Sequence, residues 1–87
     1  MPAHPSHPEI IKRLKRAEGH LRSIVTMLED GRDCLEIAQQ MQAVESAVAN
    51  AKKTLVHDHI DHCLEHAAKG AAARDAIREF KAITKYL

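Results

Sequence analysis

Apolar residues recur along the chain at alternating steps of four and three. The first series is Ile10, Leu14, Ala17, Leu21, Ile24 and Leu28, the second Ile37, Met41, Val44, Val48, Ala51 and Leu55, and the third Ala73, Ala76, Phe80, Ile83 and Leu87. A period near 3.5 keeps one stripe of a helix facing a partner helix, so three helices with heptad seams are predicted. No stretch alternates with the period of two that a strand needs, and no segment repeats another. Helix ends are marked as well. Ser6 ahead of Pro8 and Glu9 has the form of an N-terminal capping box, Asp30 and Gly31 stop the first helix, and Asp33 with Glu36 three residues later restarts the chain. Nothing interrupts the second helix before Lys69-Gly70, and the third lies in "AAARDAIREFKAITKYL". The expectation is an all-α, three-helix protomer, a single domain over residues 1–87 that opens with a flexible tail over 1–7.

The second helix sets the assembly. More than thirty residues of helix run to roughly 45 Å, whereas a compact globule of this chain length is only about 25 to 30 Å across. Its seam therefore outruns what its own chain can cover. The economical solution is a homodimer in which the long helices pack antiparallel about a two-fold axis, forming a four-helix bundle.

Composition narrows the setting. Of 87 residues 45% are hydrophobic but only 2% aromatic, with no Trp, so the core is aliphatic and stacking platforms for single strands or RNA are excluded. No apolar run reaches the length of a membrane span, and the start "MPAHPSHP" lacks the apolar core of a signal peptide. A cytoplasmic chain with reduced thiols and no membrane partner is expected.

Charge becomes informative only through its placement, since 13 basic residues nearly balance 12 acidic ones. Lys12, Arg13, Lys15, Arg16 and Arg22 lie on the face of the first helix opposite its seam, with "KRLKR" packing four cations into five positions. A run of this kind is commonly a solvated face. Here acidic residues only flank it, at Glu9 and Glu18, and two-fold symmetry would duplicate it, so it is suited to neutralising the phosphates of double-stranded DNA. Lys52 and Lys53 extend the basic set. Without zinc-finger spacing or a helix-turn-helix pattern, recognition would rest largely on phosphate contacts and DNA shape.

The densest chemistry is "HDHIDHCLEH", residues 57 to 66. On a helix His59, His62, Cys63 and His66 fall within about 100° of one another, while His57 points elsewhere. The other cysteine, Cys34, opens the long helix three residues before Ile37 on the seam, and His59 follows Leu55 by four on the same seam. Along one straight helix Cys34 and His59 stand roughly 37 Å apart and cannot share an ion. Across an antiparallel pair the start of one helix meets the end of the other, and two equivalent sites arise, each from Cys34 of one subunit with His59 and Cys63 of its partner. Other readings of the same residues stand beside this one: Cys34 as a small buried hydrophobe, a histidine-rich helix end acting as a cap, a Cys34–Cys63 disulfide, or an intrachain site from His59, His62, Cys63 and His66. A Cys–His nucleophile and base, oriented by Asp58 or Asp61, is the enzymatic reading. A small helical bundle without Gly-rich loops offers it little pocket or oxyanion geometry, so no enzyme is expected.

A basic first helix, Cys34 at the head of a long helix and His59-x-x-x-Cys63 near its end together resemble the CsoR/RcnR family of metal-sensing transcriptional repressors, and within it the copper-sensing CsoR branch. The resemblance covers nearly the whole chain. It implies a dimer of antiparallel helices assembled further into a homotetramer, a dimer of dimers, that binds operator DNA when metal-free and releases it on binding metal. Cys34, His59 and Cys63 match that branch's copper ligands, and Glu79, sixteen residues past Cys63, matches a carboxylate that supports them. Asp33 stands where the copper branch commonly has Tyr. His4 and His7 lie in the tail that supplies a further ligand in nickel- and cobalt-sensing relatives, though neither falls at the matching distance from Cys34. Persulfide-sensing relatives lack the histidine and formaldehyde-sensing ones the second cysteine, and this chain has both.

Two thiolates and an imidazole form a soft, low-coordinate set that suits Cu(I), whereas Ni(II) or Co(II) wants further donors, such as His4, His7 or His62. A nickel- or cobalt-sensing repressor is therefore the alternative within the family. A metal-binding protein without DNA binding is the alternative outside it, and leaves the basic helix unused.

Overall fold

The computed structural model describes residues 5–69 and 73–87. Pro5 and Ser6 form a turn, and α1 (His7–Glu29), α2 (Cys34–Lys69) and α3 (Ala73–Ile83) follow, with a short 3₁₀ turn over Thr84–Tyr86. The described residues contain no strand. Residues 1–4, most of the tail expected ahead of the first helix, lie outside the described residues, and His7 is already helical. No helix among the described residues is long and apolar enough to cross a membrane.

The turn between α1 and α2 is built from the residues that mark it in the sequence. Gly31 adopts φ +69°, a left-handed conformation that costs a residue without Cβ almost nothing. This lets the Gly31 N–H reach the Leu28 carbonyl at 3.1 Å and the Arg32 N–H reach that of Met27 at 3.0 Å, the paired bonds of a Schellman motif. Asp33 then caps α2, its carboxylate accepting from the Glu36 N–H at 3.3 Å. The start of α1 departs from expectation. Ser6 donates its hydroxyl to the Asp58 carboxylate and its backbone N–H lies 3.4 Å from the same oxygen, while Glu9 pairs with Arg13 at 3.5 Å. Ser6 donates to a carboxylate far along the chain, and Glu9 pairs with Arg13 rather than with Ser6.

The chain divides into two compact units. In the first, Pro8–Ala51, α1 folds back along the opening half of α2. Ile24, Ile37 and Val44 are buried against one another with Met27 packed beside them, and His20 hydrogen-bonds Gln40. Each seam is split by burial. Ile10, Ala17 and Ile24 are covered, as are Ile37, Val44 and Ala51, each set spaced by seven. The interleaved Leu14, Leu21 and Leu28, and Met41 and Val48, remain open, reaching 58% exposure at Leu28 and 55% at Met41.

The second unit takes in Lys52–Leu87 and the short stretch ending at His7. Its core is Val56, Cys63 and Ala76, all buried. Val56 lies one residue beyond the seam position Leu55 and seven before Cys63, so the buried stripe in this half of α2 is displaced from the seam. The third helix is shorter than its sequence pattern suggests. It ends at Ile83, where Thr84 turns its hydroxyl onto the Lys81 carbonyl at 2.7 Å.

Candidate metal centre

His59 and Cys63 sit one turn apart on α2, so their side chains rise from the same face. Glu79 reaches them from α3. Its Oε2 lies 4.0 Å from Cys63 Sγ and 4.0 Å from His59 Nε2, and one ligand atom from each of the three residues falls within 4.8 Å of the other two. Donors bound to one ion at about 2.0 to 2.3 Å stand roughly 3 to 4 Å apart, so small side-chain movements would close this group on a cation. The imidazole is partly covered and the carboxylate largely open, at 27% and 59% side-chain exposure, whereas Cys63 is sealed at 2%.

That burial has an electrostatic consequence. Desolvation pushes the Cys63 thiol above its usual range, and the nearby Glu79 charge pushes it further the same way. A bound cation inverts the preference, because coordination requires the thiolate and its charge compensates the buried anion. Thiol, imidazole and carboxylate are thus close enough together to serve as donors to one cation.

Cys34 opens α2 as an exposed free thiol, and Cys63 is also free. The group within 4.8 Å does not include Cys34. His62 lies outside it too, with its ring centroid 4.2 Å from that of His66, and His57 is exposed. His7 is the first residue of α1, and His4 lies outside the described residues.

The cations are displayed as their positions suggest. Lys12, Arg13, Lys15, Arg16 and Arg22 are exposed on α1, and Lys52 and Lys53 on α2. Arg13 and Arg22 pair with Glu9 and Glu18 one turn earlier, at 3.5 and 3.9 Å, contacts weak enough at this exposure to be exchanged for phosphate. Arg13 and Arg16 line a groove whose remaining walls are Ala17, His20, Ala47 and Asn50. His20 and Asn50 are absent from the set read from the sequence. His20 carried a signal, standing four residues after Arg16 and seven after Arg13 on one helical face. Asn50 carried none, because only the return of α2 along α1 brings it there.

Residues 6–86 match the family described as metal-sensitive transcriptional repressor, and the chain belongs to that family. It is 41% identical over 81 residues to the copper-sensing transcriptional repressor CsoR of Bacillus subtilis (strain 168), covering 88% of this chain and 80% of that protein. The copper-sensing transcriptional repressor RicR of Mycobacterium tuberculosis is 37% identical over 65 residues, 74% of this chain and 68% of that one. A CsoR from Mycobacterium ulcerans is 33% identical over 76 residues, and this match spans 65% of that longer protein. Among solved structures, the nickel-responsive transcriptional regulator InrS superposes with a TM-score of 0.84 at 28% identity, over 100% of this chain and 99% of that one.

Proposed function

We propose that this metal-sensitive repressor responds to Cu(I), bound by Cys34 of one protomer with the partner's His59 and Cys63, and that it holds operator DNA when metal-free and releases it when loaded. The observation that carries the reading is the convergence of a sealed thiol, an imidazole and a carboxylate at one end of α2, with a second thiol at the other end of the same helix. Two thiolates and one imidazole satisfy a soft monovalent ion with few ligands, and the similarity to copper-sensing repressors points the same way. Glu79 serves in this reading as the support of His59 rather than as a ligand, holding the imidazole through its ring N–H. The assembly is an antiparallel dimer, and a dimer of dimers, covering the open halves of the heptad seams. DNA phosphates meet Lys12, Arg13, Lys15, Arg16 and Arg22, with Lys52 and Lys53 adding to the field. The two free cysteines suit a reducing cytoplasm.

A second reading is favoured by the likeness to a nickel-responsive regulator. In it Ni(II) or Co(II) takes the same three residues together with His4, His7 or His62 from the protein's histidine-rich ends.

The deciding experiment measures Cu(I) binding and DNA affinity on the same preparations. One Cu(I) per subunit is expected, at a site whose X-ray absorption shows two sulfurs and one nitrogen, with tight binding lost in Cys34→Ala and in Cys63→Ala. A mixed dimer carrying one of these substitutions on each chain recovers one site of two, because one interface then lacks both thiols and the other keeps both. Failure of every mixed dimer to bind overturns the shared site. Release of DNA by Ni(II) but not Cu(I) selects the second reading.

A further inference from the structure

A different set of donors lies beside the candidate copper ligands. His62 and His66 are separated by one turn of α2, and their rings stand 4.2 Å apart between centroids at an interplanar angle of 50°. Two imidazoles bound to one ion through metal–nitrogen bonds of about 2.0 to 2.1 Å, at angles of about 90° to 109°, have centroids roughly 4.5 to 5.2 Å apart. A small opening of the two rings brings the pair to chelating separation. Both rings line a cleft between α2 and α3, and the opposite wall is formed by Asp75, Ala76 and Glu79, with Cys63 at its floor. Asp75 pairs with Arg78 at 3.7 Å, and both partners are 76% exposed, a contact too weak to hold the carboxylate against a cation. The ring of His59 is further off, its centroid 6.3 Å from that of His62, and it faces Glu79 with Cys63. The histidines of this half of α2 therefore divide into two groups.

The donor types divide as well. The first group offers thiolate and imidazole, which suit a soft ion. The second offers two imidazoles and a carboxylate with room for water, which suits a borderline divalent cation such as Zn(II), Co(II) or Ni(II) and satisfies Cu(I) poorly.

We propose that His62 and His66, with Asp75 facing them from α3, form a second, thiol-free site for a borderline divalent cation, distinct from the Cys34/His59/Cys63 site. An ion there ties α2 to α3 directly. It also competes for or shares Glu79, which lines the same cleft and lies 4.0 Å from both His59 and Cys63. A divalent metal is then able to alter the response to the first without displacing it.

Co(II) is the probe, because its visible absorption reports bound geometry and a thiolate ligand adds an intense charge-transfer band that imidazole and carboxylate do not. Two preparations are titrated under anaerobic conditions: the protein loaded with one Cu(I) per subunit, and the Cys34→Ala/Cys63→Ala variant, its helicity checked by circular dichroism. One Co(II) per subunit is expected in both, with ligand-field bands and no thiolate band. Affinity should fall roughly tenfold or more in His62→Ala and His66→Ala, and less in Asp75→Asn, while Cu(I) stoichiometry stays unchanged. Absence of Co(II) binding in both preparations, a thiolate band in the copper-loaded protein, or affinity unmoved by His66→Ala each overturns the second site. Because the thiol-free variant cannot form the proposed copper site, failure of the copper reading leaves that arm of the test intact.

Discussion

Cys63 and Cys34 are the same side chain in opposite surroundings. Cys63 is sealed between α2 and α3 with a carboxylate beside it, and both burial and that charge favour the protonated thiol. Cys34 stands exposed at the first residue of α2. The thiolate is the nucleophile in alkylation, so access and charge both slow Cys63. With limiting iodoacetamide at neutral pH, peptide mass spectrometry should show Cys34 modified well before Cys63. Raising the pH enlarges the thiolate fraction, and because the Cys63 pKa is raised, its rate should keep climbing above the pH, near 8.5, where an ordinary thiol levels off. Equal rates, or a Cys63 rate that levels off at or below that pH, would contradict the described packing. That His59 and Cys63 share a face was legible in the sequence, since a step of four on a helix fixes which side chains do so. The partition of the histidines was not, because His59, His62 and His66 occupy one stripe, and the contacts from α3 decide which of them faces Glu79 and which faces Asp75.

At the scale of the element, the turn between α1 and α2 concentrates two local determinants. Gly31 is left-handed with open space around the position of a Cβ, so an added methyl meets no atom and the cost of Gly31→Ala is backbone strain alone, about 1 to 2 kcal/mol. Asp33→Ala removes the carboxylate that caps α2 and should cost about 1 kcal/mol. Urea unfolding at fixed protomer concentration, with and without each change, checks both, and a neutral Gly31→Ala would mean that the turn is remodelled. Both residues were readable in advance because their effect is local. Ser6 was not: its cap position is local, but the acceptor that takes its hydroxyl, Asp58, is 52 residues away. The third seam was likewise too generous, since Ile83 and Leu87 keep the spacing of a helix while the backbone passes into a 3₁₀ turn over Thr84–Tyr86. Burial of Val56 beside the more open Leu55 was equally hidden, since the four-three pattern ran through Leu55.

For the whole molecule, the open halves of the seams and the metal residues make one argument. Leu14, Leu21, Leu28, Met41 and Val48 are exposed in the protomer at heptad positions, and water is a poor neighbour for so regular an apolar series. If a second copy covers them, Val48→Glu places a charge in the helix pairing. It should convert the dimer to monomer in sedimentation, and tight Cu(I) binding should disappear with it, although no ligand has been touched. Coupling between metal and DNA then follows from the same helices. If each ligand prefers a different arrangement, each must weaken the other by one common factor, usually worth about 1 to 3 kcal/mol. Glu79 is placed to carry that coupling, because its carboxylate stands 4.0 Å from His59 Nε2, just beyond hydrogen-bond length. An imidazole fixed by a metal through its other nitrogen can present Nε2–H to Glu79, drawing α3 toward α2. Glu79→Ala should therefore lower Cu(I) affinity by no more than about 10- to 100-fold, the range for loss of a supporting hydrogen bond, while the copper-loaded protein stays on DNA. Fluorescence anisotropy of labelled operator, with and without saturating Cu(I), reads the coupling directly. Release of DNA by copper-loaded Glu79→Ala to the same extent as by the parent would show that the signal leaves His59 by another route.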